Sequence, residues 1–202
     1  MIHTADKPTD AELLAKYAKG DESAFHELVN RYKNGLYAFL HRFIGQQALV
    51  DDVFQETFIQ LFNSMASFDT SRPLRPWLFT IAANKAKDAL RKQQRTAAIS
   101  IGTMADPGEM SFGDVLNSLT SDKELPYDQL IDEEAAVKVR EVIAKMPDNL
   151  REILVLSYFH KFSYKQMTEI LSIPIGTVKS RLHSAVGRFA KDFKASVKSK
   201  ET

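Results

Sequence analysis

Apolar residues recur along this chain at intervals of three and four, the period of an α-helix that turns one face to a core. Thr9 and Glu12 form the pattern of a capping box, opening a helix through Leu13, Leu14 and Tyr17 that stops at Gly20. Asp21 is placed to cap a second helix with Phe25, Leu28, Val29 and Tyr32 on its apolar face. A third runs through Leu36, Tyr37, Phe39, Leu40 and Phe43 to Gly45. The fourth is the most regular, with Val50, Phe54, Thr57, Phe58 and Leu61 on one side and Asp52, Glu56 and Gln60 on the other. A loop containing Pro73 then leads to Pro76, suited to the first turn of a fifth helix that buries Trp77, Leu78, Ile81 and Leu90. No segment alternates in the manner of a strand, so the pattern predicts an all-α protein.

Residues 96–131 break the rhythm. Gly102, Pro107, Gly108, Gly113 and Pro126 punctuate a stretch of small and acidic residues, too long for an ordinary connection inside a compact domain. The reading is an interdomain linker between two small helical domains, residues 1–95 and 132–202. In the second, a helix begins near Asp132 and ends before Met146 and Pro147. Pro147 opens the next, with Leu150, Ile153, Leu154 and Tyr158 facing inward. Ser163 and Gln166 make another capping box for a short helix through Met167, Ile170 and Leu171. After Ser172-Ile173-Pro174-Ile175-Gly176 a last helix starts at Thr177, placing Val178, Leu182, Ala185, Phe189 and Phe193 on one face. A short helix, a tight turn and a longer basic helix is a helix-turn-helix arrangement, in which the first helix braces the second for entry into the major groove.

Charge sharpens this picture. The net charge of +1 conceals +2 in residues 1–95, −8 in residues 96–134, where Lys123 stands against nine acids, and +7 in residues 135–202. Between Arg72 and Arg95, seven basic residues face the single acid Asp88. Such a run is a solvated helix face in its plainer reading; two basic regions separated by an acidic strip also fit two contacts with a polyanion. There is no cysteine, which removes disulfides, thiolate metal sites and cysteine nucleophiles. The first residues carry no apolar run of a secretory signal, and no stretch is apolar enough to span a membrane, so a cytoplasmic protein is expected.

The segment LREILVLSYFHKFSYKQMTEILSIPIGTVKSRLHSA resembles the C-terminal domain of bacterial sigma factors, in particular the extracytoplasmic-function branch (ECF, group IV) of the sigma-70 family. Upstream, VDDVFQETFIQLF is similar to the family's polymerase-binding helix and PWLFTIAANKAKDALRK to its promoter-melting helix. The resemblance implies a region 2 domain, an acidic linker and a region 4 domain. It implies that Asp52, Gln55 and Glu56 grip a coiled coil of core RNA polymerase, although a solvated charged face explains the same residues. Phe68 and the loop through Ser71 and Arg72 to Arg75 match the segment that captures a base flipped out at the −10 element, core packing being the alternative for Phe68. Asn84 matches a residue near the same strand, and Lys85, Lys87, Arg91 and Lys92 would hold phosphates. Pro174, Thr177, Lys179, Ser180, Arg181, His183 and Ser184 match the turn and helix that read the −35 element. Promoter DNA, core RNA polymerase and an anti-sigma factor are the partners it implies. Ser184 where an Arg is frequent, Leu74 in place of an aromatic, and Gly187 inside the last helix depart from the family pattern.

Enzymatic readings find little support. No zinc-protease, nucleophile-elbow or phosphate-loop pattern occurs, and the five histidines are dispersed, so no catalytic residue, metal, cofactor or small-molecule substrate is expected. His183 reads as a contact residue because no second ligand sits at binding spacing. A stand-alone helix-turn-helix regulator on operator duplex is the rival function, and it predicts tight binding to DNA without polymerase.

Overall fold

A computed structural model of the chain describes residues 7–99 and 133–198. Eight α-helices, and no strand, occur among the described residues. They are α1 (Asp10–Ala18), α2 (Glu22–Ile44), α3 (Gln47–Ser64), α4 (Leu74–Ile99), α5 (Glu133–Ala144), α6 (Asp148–Leu154), α7 (Tyr164–Leu171) and α8 (Ile175–Lys198). A 3₁₀ turn, Met65–Ser67, follows α3, and a π-turn, Val155–Phe159, prolongs α6.

Helix ends follow the local chemistry of the sequence. Thr9 and Glu12 form the reciprocal capping box of α1, and Ser163 and Gln166 that of α7. Asp21 accepts from the Ser23 amide at 3.0 Å at the head of α2. Gly20 and Gly45 adopt positive φ where α1 and α2 stop, a conformation in which a side chain would be strained. Ser172, at φ 53, makes the corresponding left-handed turn between α7 and α8.

Helices α1–α4 form one unit around Leu28, Leu36, Phe39, Phe43, Leu61 and Phe79. Helices α5–α8 form a second around Ile153, Leu156, Met167, Val178 and Ala185. The two units pack together, and their apolar residues merge into one cluster. Helix α7 lies against α4, and α2 meets α5, α6 and the π-turn.

Five details depart from the sequence reading. The second and third expected helices are one, because Gly35 continues α2 with ordinary helical geometry. A mid-helix glycine costs only ~1 kcal/mol. The apolar stripe from Leu28 through Leu36, Phe39, Leu40 and Phe43 is buried along its length, and that burial outweighs the glycine. Tyr158, expected to face inward, is 49% exposed. The π-turn, closed by His160 N donating to Val155 O at 3.3 Å, widens the helix and swings Tyr158 off the buried stripe. On α4 the buried stripe is Leu78, Phe79, Ala82, Ala86 and Leu90, while Trp77 and Ile81 are half-buried at its edge. Helix α8 starts at Ile175, two residues before Thr177, and Pro174 O receives the Val178 amide at 3.0 Å. Helix α4 runs on to Ile99, and the rest of the acidic segment lies outside the described residues.

Candidate nucleic-acid interface

The helix-turn-helix is built as its spacing implies. Val178, Leu182 and Ala185 are buried, holding α8 on α6 and α7. With that face fixed, the 3.6-residue period turns Lys179, Ser180, His183 and Ser184 outward, and all four are exposed. Pro174 is exposed at the turn, whereas Thr177 and Arg181 are half-buried. Ser180 Oγ donates to Thr177 O at 3.2 Å. Donors of Lys, Ser and His type on the first turns of a braced helix suit both base edges and phosphates.

A second surface lies on α3 and α4. Burial of Val50, Val53, Phe54, Thr57 and Leu61 leaves Asp52, Gln55 and Glu56 exposed on the opposite side of α3. Lys85 Nζ on α4 lies 3.2 Å from Glu56 Oε2, so a residue expected at DNA and one expected at polymerase form a single ion pair. Exposed pairs of this kind contribute ~0–1 kcal/mol. Asn84, Arg91 and Lys92 are exposed along α4, with Arg91 3.1 Å from Asp88.

The loop before α4 is ordered by Asp69. Its carboxylate accepts from the Ser71 amide at 3.0 Å, and its carbonyl from the Arg72 amide at 3.0 Å. The hydrogen bonds from Ser71, side chain first and then backbone, hold the Asp69 carboxyl below its ordinary range. Ser71 and Arg72 are thereby presented to solvent. Phe68 stacks on Trp77 with ring centroids 4.3 Å apart and 30° between planes. Both rings are half-buried, so the pair closes the edge of the core and keeps part of its aromatic surface open to solvent.

Arg75 and Lys87 face elsewhere. Arg75 Nη2 donates to His160 O at 2.6 Å, and its guanidinium lies over the Phe162 ring, 4.2 Å from the centroid. Lys87 Nζ is 3.5 Å from Glu152 Oε1. That separation is too long for a good hydrogen bond, so charge attraction holds the pair. Glu152 is buried, and burial pushes its carboxyl upward, with Lys87 opposing. His160 packs edge-on to Phe39 and tilted against Phe79, 5.8 and 5.2 Å between centroids. Burial, followed by Arg42 and Arg75, pushes His160 down to about 3. A cavity of about 330 Å³ opens between the two units, lined by Lys87, Arg91, Asp148, Glu152 and Arg181 among others.

Arg42 of α2 lies over the Phe159 ring, 4.6 Å from its centroid, and none of these contacts at Arg42, Glu152, His160 and Phe162 was legible in the chain. Only Arg151 and Glu152, a charged pair set between Leu150 and Ile153, hinted that something in the second unit was buried with its charge. Among the described residues no cluster of His, Asp and Glu is arranged to hold a metal ion, and no helix is long and apolar enough to cross a membrane.

Two family models match the chain: sigma-70 region 2 over residues 28–96 and sigma-70 region 4 over residues 136–188. The chain is 33% identical over 165 residues to the ECF RNA polymerase sigma factor SigW of Bacillus subtilis, covering 82% of this chain and 86% of that protein. It is 31% identical over 181 residues to the ECF RNA polymerase sigma-E factor of Haemophilus influenzae, covering 90% of this chain and 93% of that protein. Among solved structures, the sigma factor RpoE of Bartonella quintana, crystallised with the anti-sigma factor NepR, superposes with a TM-score of 0.66. The match spans 84% of this chain and 96% of that one at 23% identity, a likeness of fold.

Proposed function

The chain belongs to the ECF RNA polymerase sigma factors, a class of transcription initiation factors, and from that premise we propose how its surfaces divide the work. Residues 1–95 act as the domain that binds core polymerase and opens the −10 element, residues 96–131 as an acidic linker, and residues 132–202 as the −35 reader. Asp52, Gln55 and Glu56 present the polar face that docks on core RNA polymerase. The −8 of residues 96–134 suits a positively charged channel that nucleic acid otherwise occupies.

Lys179, Ser180, Arg181, His183 and Ser184, with Pro174 and Thr177 at the turn, read the −35 duplex from the major groove. Phe68, Ser71, Arg72 and Arg75 take hold of the opened −10 strand, with Asn84 beside them. Lys85, Lys87, Arg91 and Lys92 hold its phosphates. Extruding a base costs a few kcal/mol of unstacking, which an aromatic platform and cationic neighbours offset. The chain performs no covalent chemistry of its own in this scheme, works in the cytoplasm, and is held inactive by an anti-sigma factor, as the Bartonella protein's crystallised partner suggests.

The observation that carries this reading is the pairing, in one chain, of an outward polar turn on α8 with the outward acidic face of α3. A regulator that works alone on duplex has use for the first surface only. Run-off transcription from a bacterial promoter library, with core polymerase in the presence and absence of this protein, tests it. New start sites that depend on the protein and share paired upstream elements are expected. Tight duplex binding by the protein alone, with no new transcript, would overturn the reading in favour of an operator-binding regulator.

A further inference from the structure

The cavity between the two units has a chemistry of its own. Its volume of about 330 Å³ falls within the ~300–1,000 Å³ range of small-molecule sites, which gather at domain interfaces. Lys87 and Arg91 of α4 and Arg181 of α8 bring three cations to its wall. None of them is fully committed. Arg91 is held by its exposed pair with Asp88, and Lys87 stands 3.5 Å from Glu152. Arg181 makes no hydrogen bond or ion pair among the described residues. Cations converging on one pocket suit a phosphate ester, whose oxygens take several charge-assisted hydrogen bonds at once.

A bare anion leaves the other walls unused. Glu152 is 4% exposed, yet its Oε1 has no hydrogen-bond partner among the described residues. A buried acceptor in that state is destabilising, and an N–H donor relieves it. The Gln94 and Asn149 amides also line the cavity, are exposed, and form no side-chain hydrogen bond among the described residues. Phe43, Leu90 and Leu171, all buried, give one side of it an apolar surface. The remaining acid, Asp148, is already taken by Arg151 at 2.5 Å.

We propose that this cavity is a binding site for a nucleoside monophosphate, with its phosphate on Arg181, Arg91 and Lys87 and its base against Phe43, Leu90 and Leu171. A ring N–H or amino group of the base donates to Glu152 Oε1. Gln94 and Asn149 both donate and accept, which suits the ribose hydroxyls. The molecule is a ligand and not a substrate, since no bond is made or broken. Its contacts come from both units, so occupation stabilises the free chain in proportion to RT ln(1 + [L]/Kd). The site stands on the walls of the cavity and not on which promoter element the three cations read.

The probes are adenosine and guanosine 5′-monophosphates, with ribose 5-phosphate to represent the phosphate alone and adenosine the base alone. Isothermal titration of the free chain should give one site with a Kd of ~10–100 μM for at least one nucleotide. Ribose 5-phosphate and adenosine should bind about tenfold more weakly or worse, and the melting temperature should rise with nucleotide concentration.

Two substitutions separate the halves of the ligand. Arg181→Gln should weaken the nucleotide and ribose 5-phosphate alike, by about tenfold. Glu152→Met keeps the length of the side chain and removes the acceptor. It should weaken the nucleotide by about tenfold and leave ribose 5-phosphate unchanged or tighter, because a carboxylate near the phosphate has gone. Asn149→Leu, at an exposed position, should weaken the nucleotide severalfold and serves where the Glu152 variant loses helicity by circular dichroism. Lys179→Ala, on the exposed face of α8 outside the cavity wall, should change neither ligand.

No heat and no change in melting temperature with either nucleotide at millimolar concentration overturns the site. Equal losses from Lys179→Ala and Arg181→Gln overturn it too, as the sign of a phosphate held anywhere on the basic surface. Nucleotide binding that is indifferent to both Glu152→Met and Asn149→Leu does the same. None of these readouts involves polymerase or promoter, so their failure is distinct from failure of the proposed function.

Discussion

Phe68 is the residue at which a packing role and the proposed −10 role can be separated by experiment. Its ring is stacked on Trp77, which contributes roughly 0.5–1.5 kcal/mol beyond area burial, yet the pair sits half-exposed at the mouth of the Ser71–Arg72 turn. Phe68→Ala should therefore lower thermal stability by ~1–2 kcal/mol and impair promoter opening more than closed-complex formation. Denaturation monitored by circular dichroism reads the first effect, and permanganate footprinting against gel-shift measurement reads the second. Equal loss in footprint and gel shift would return Phe68 to a purely structural role. The aromatic character of position 68 was evident in the chain, but its stacking partner was not, because ring-on-ring contact depends on how the loop folds back over α4.

At the scale of the element, α3 is the helix most fully written in its spacing. Val50, Phe54, Thr57 and Leu61 are buried, and Asp52, Gln55, Glu56 and Gln60 are exposed. Asp52→Arg combined with Glu56→Arg should abolish binding to core polymerase, measured by native gel or size exclusion, while helicity and melting temperature change little. The second half of that expectation follows from the Glu56–Lys85 pair: at 61% and 26% side-chain exposure, solvent screens most of its attraction. Helix α8 obeyed its period equally well, with Val178, Leu182 and Ala185 turned in and Lys179, Ser180, His183 and Ser184 turned out. The segment after α6 did not. A π-turn changes the number of residues per turn, and a reading at constant period therefore places Tyr158 on the wrong side.

At the scale of the whole molecule, the junction between the units carries a pH dependence. His160, facing Arg42 from α2 and Arg75 from α4, is neutral in the packed form with its pKa pushed down to about 3, against an ordinary value of 6.5. A depressed histidine contributes stability that is complete above pH 6.5 and is lost as pH falls from there toward 3. At pH 5 the packed form should be weakened by about 2 kcal/mol relative to a form in which His160 is solvated. Glu152 works in the opposite sense. Burial raises its pKa, so acidification relieves a buried charge and favours packing below that raised value. The readout is accordingly the difference between the unmodified chain and His160→Phe, followed between pH 8 and pH 5 by the distance between spin labels on cysteines introduced at exposed Lys19 and Lys191, one in each unit. The unmodified chain should open on acidification by more than the variant, and equal responses would exclude His160 as the cause.

What the chain determined unaided was local: helix caps at Thr9, Asp21 and Ser163, stops at Gly20 and Gly45, and the inward and outward faces of α3 and α8. These follow from hydrogen bonds and periodicities within a few residues, and they sufficed to place a helix-turn-helix and an outward acidic face on α3. The partners of Arg75, Lys87 and His160 were decided only by the tertiary structure. Arg75 and the His160 carbonyl are 85 positions apart, and nothing in the pattern around either names the other. A cation on a helix surface reads as solvated or phosphate-binding until a second surface supplies a carbonyl, a carboxylate and an aromatic face at contact distance. Packing of the second unit on the first supplied all three, the carbonyl and the ring from the loop after the π-turn and the carboxylate from α6, because burying the apolar faces of both units brings that loop onto the head of α4.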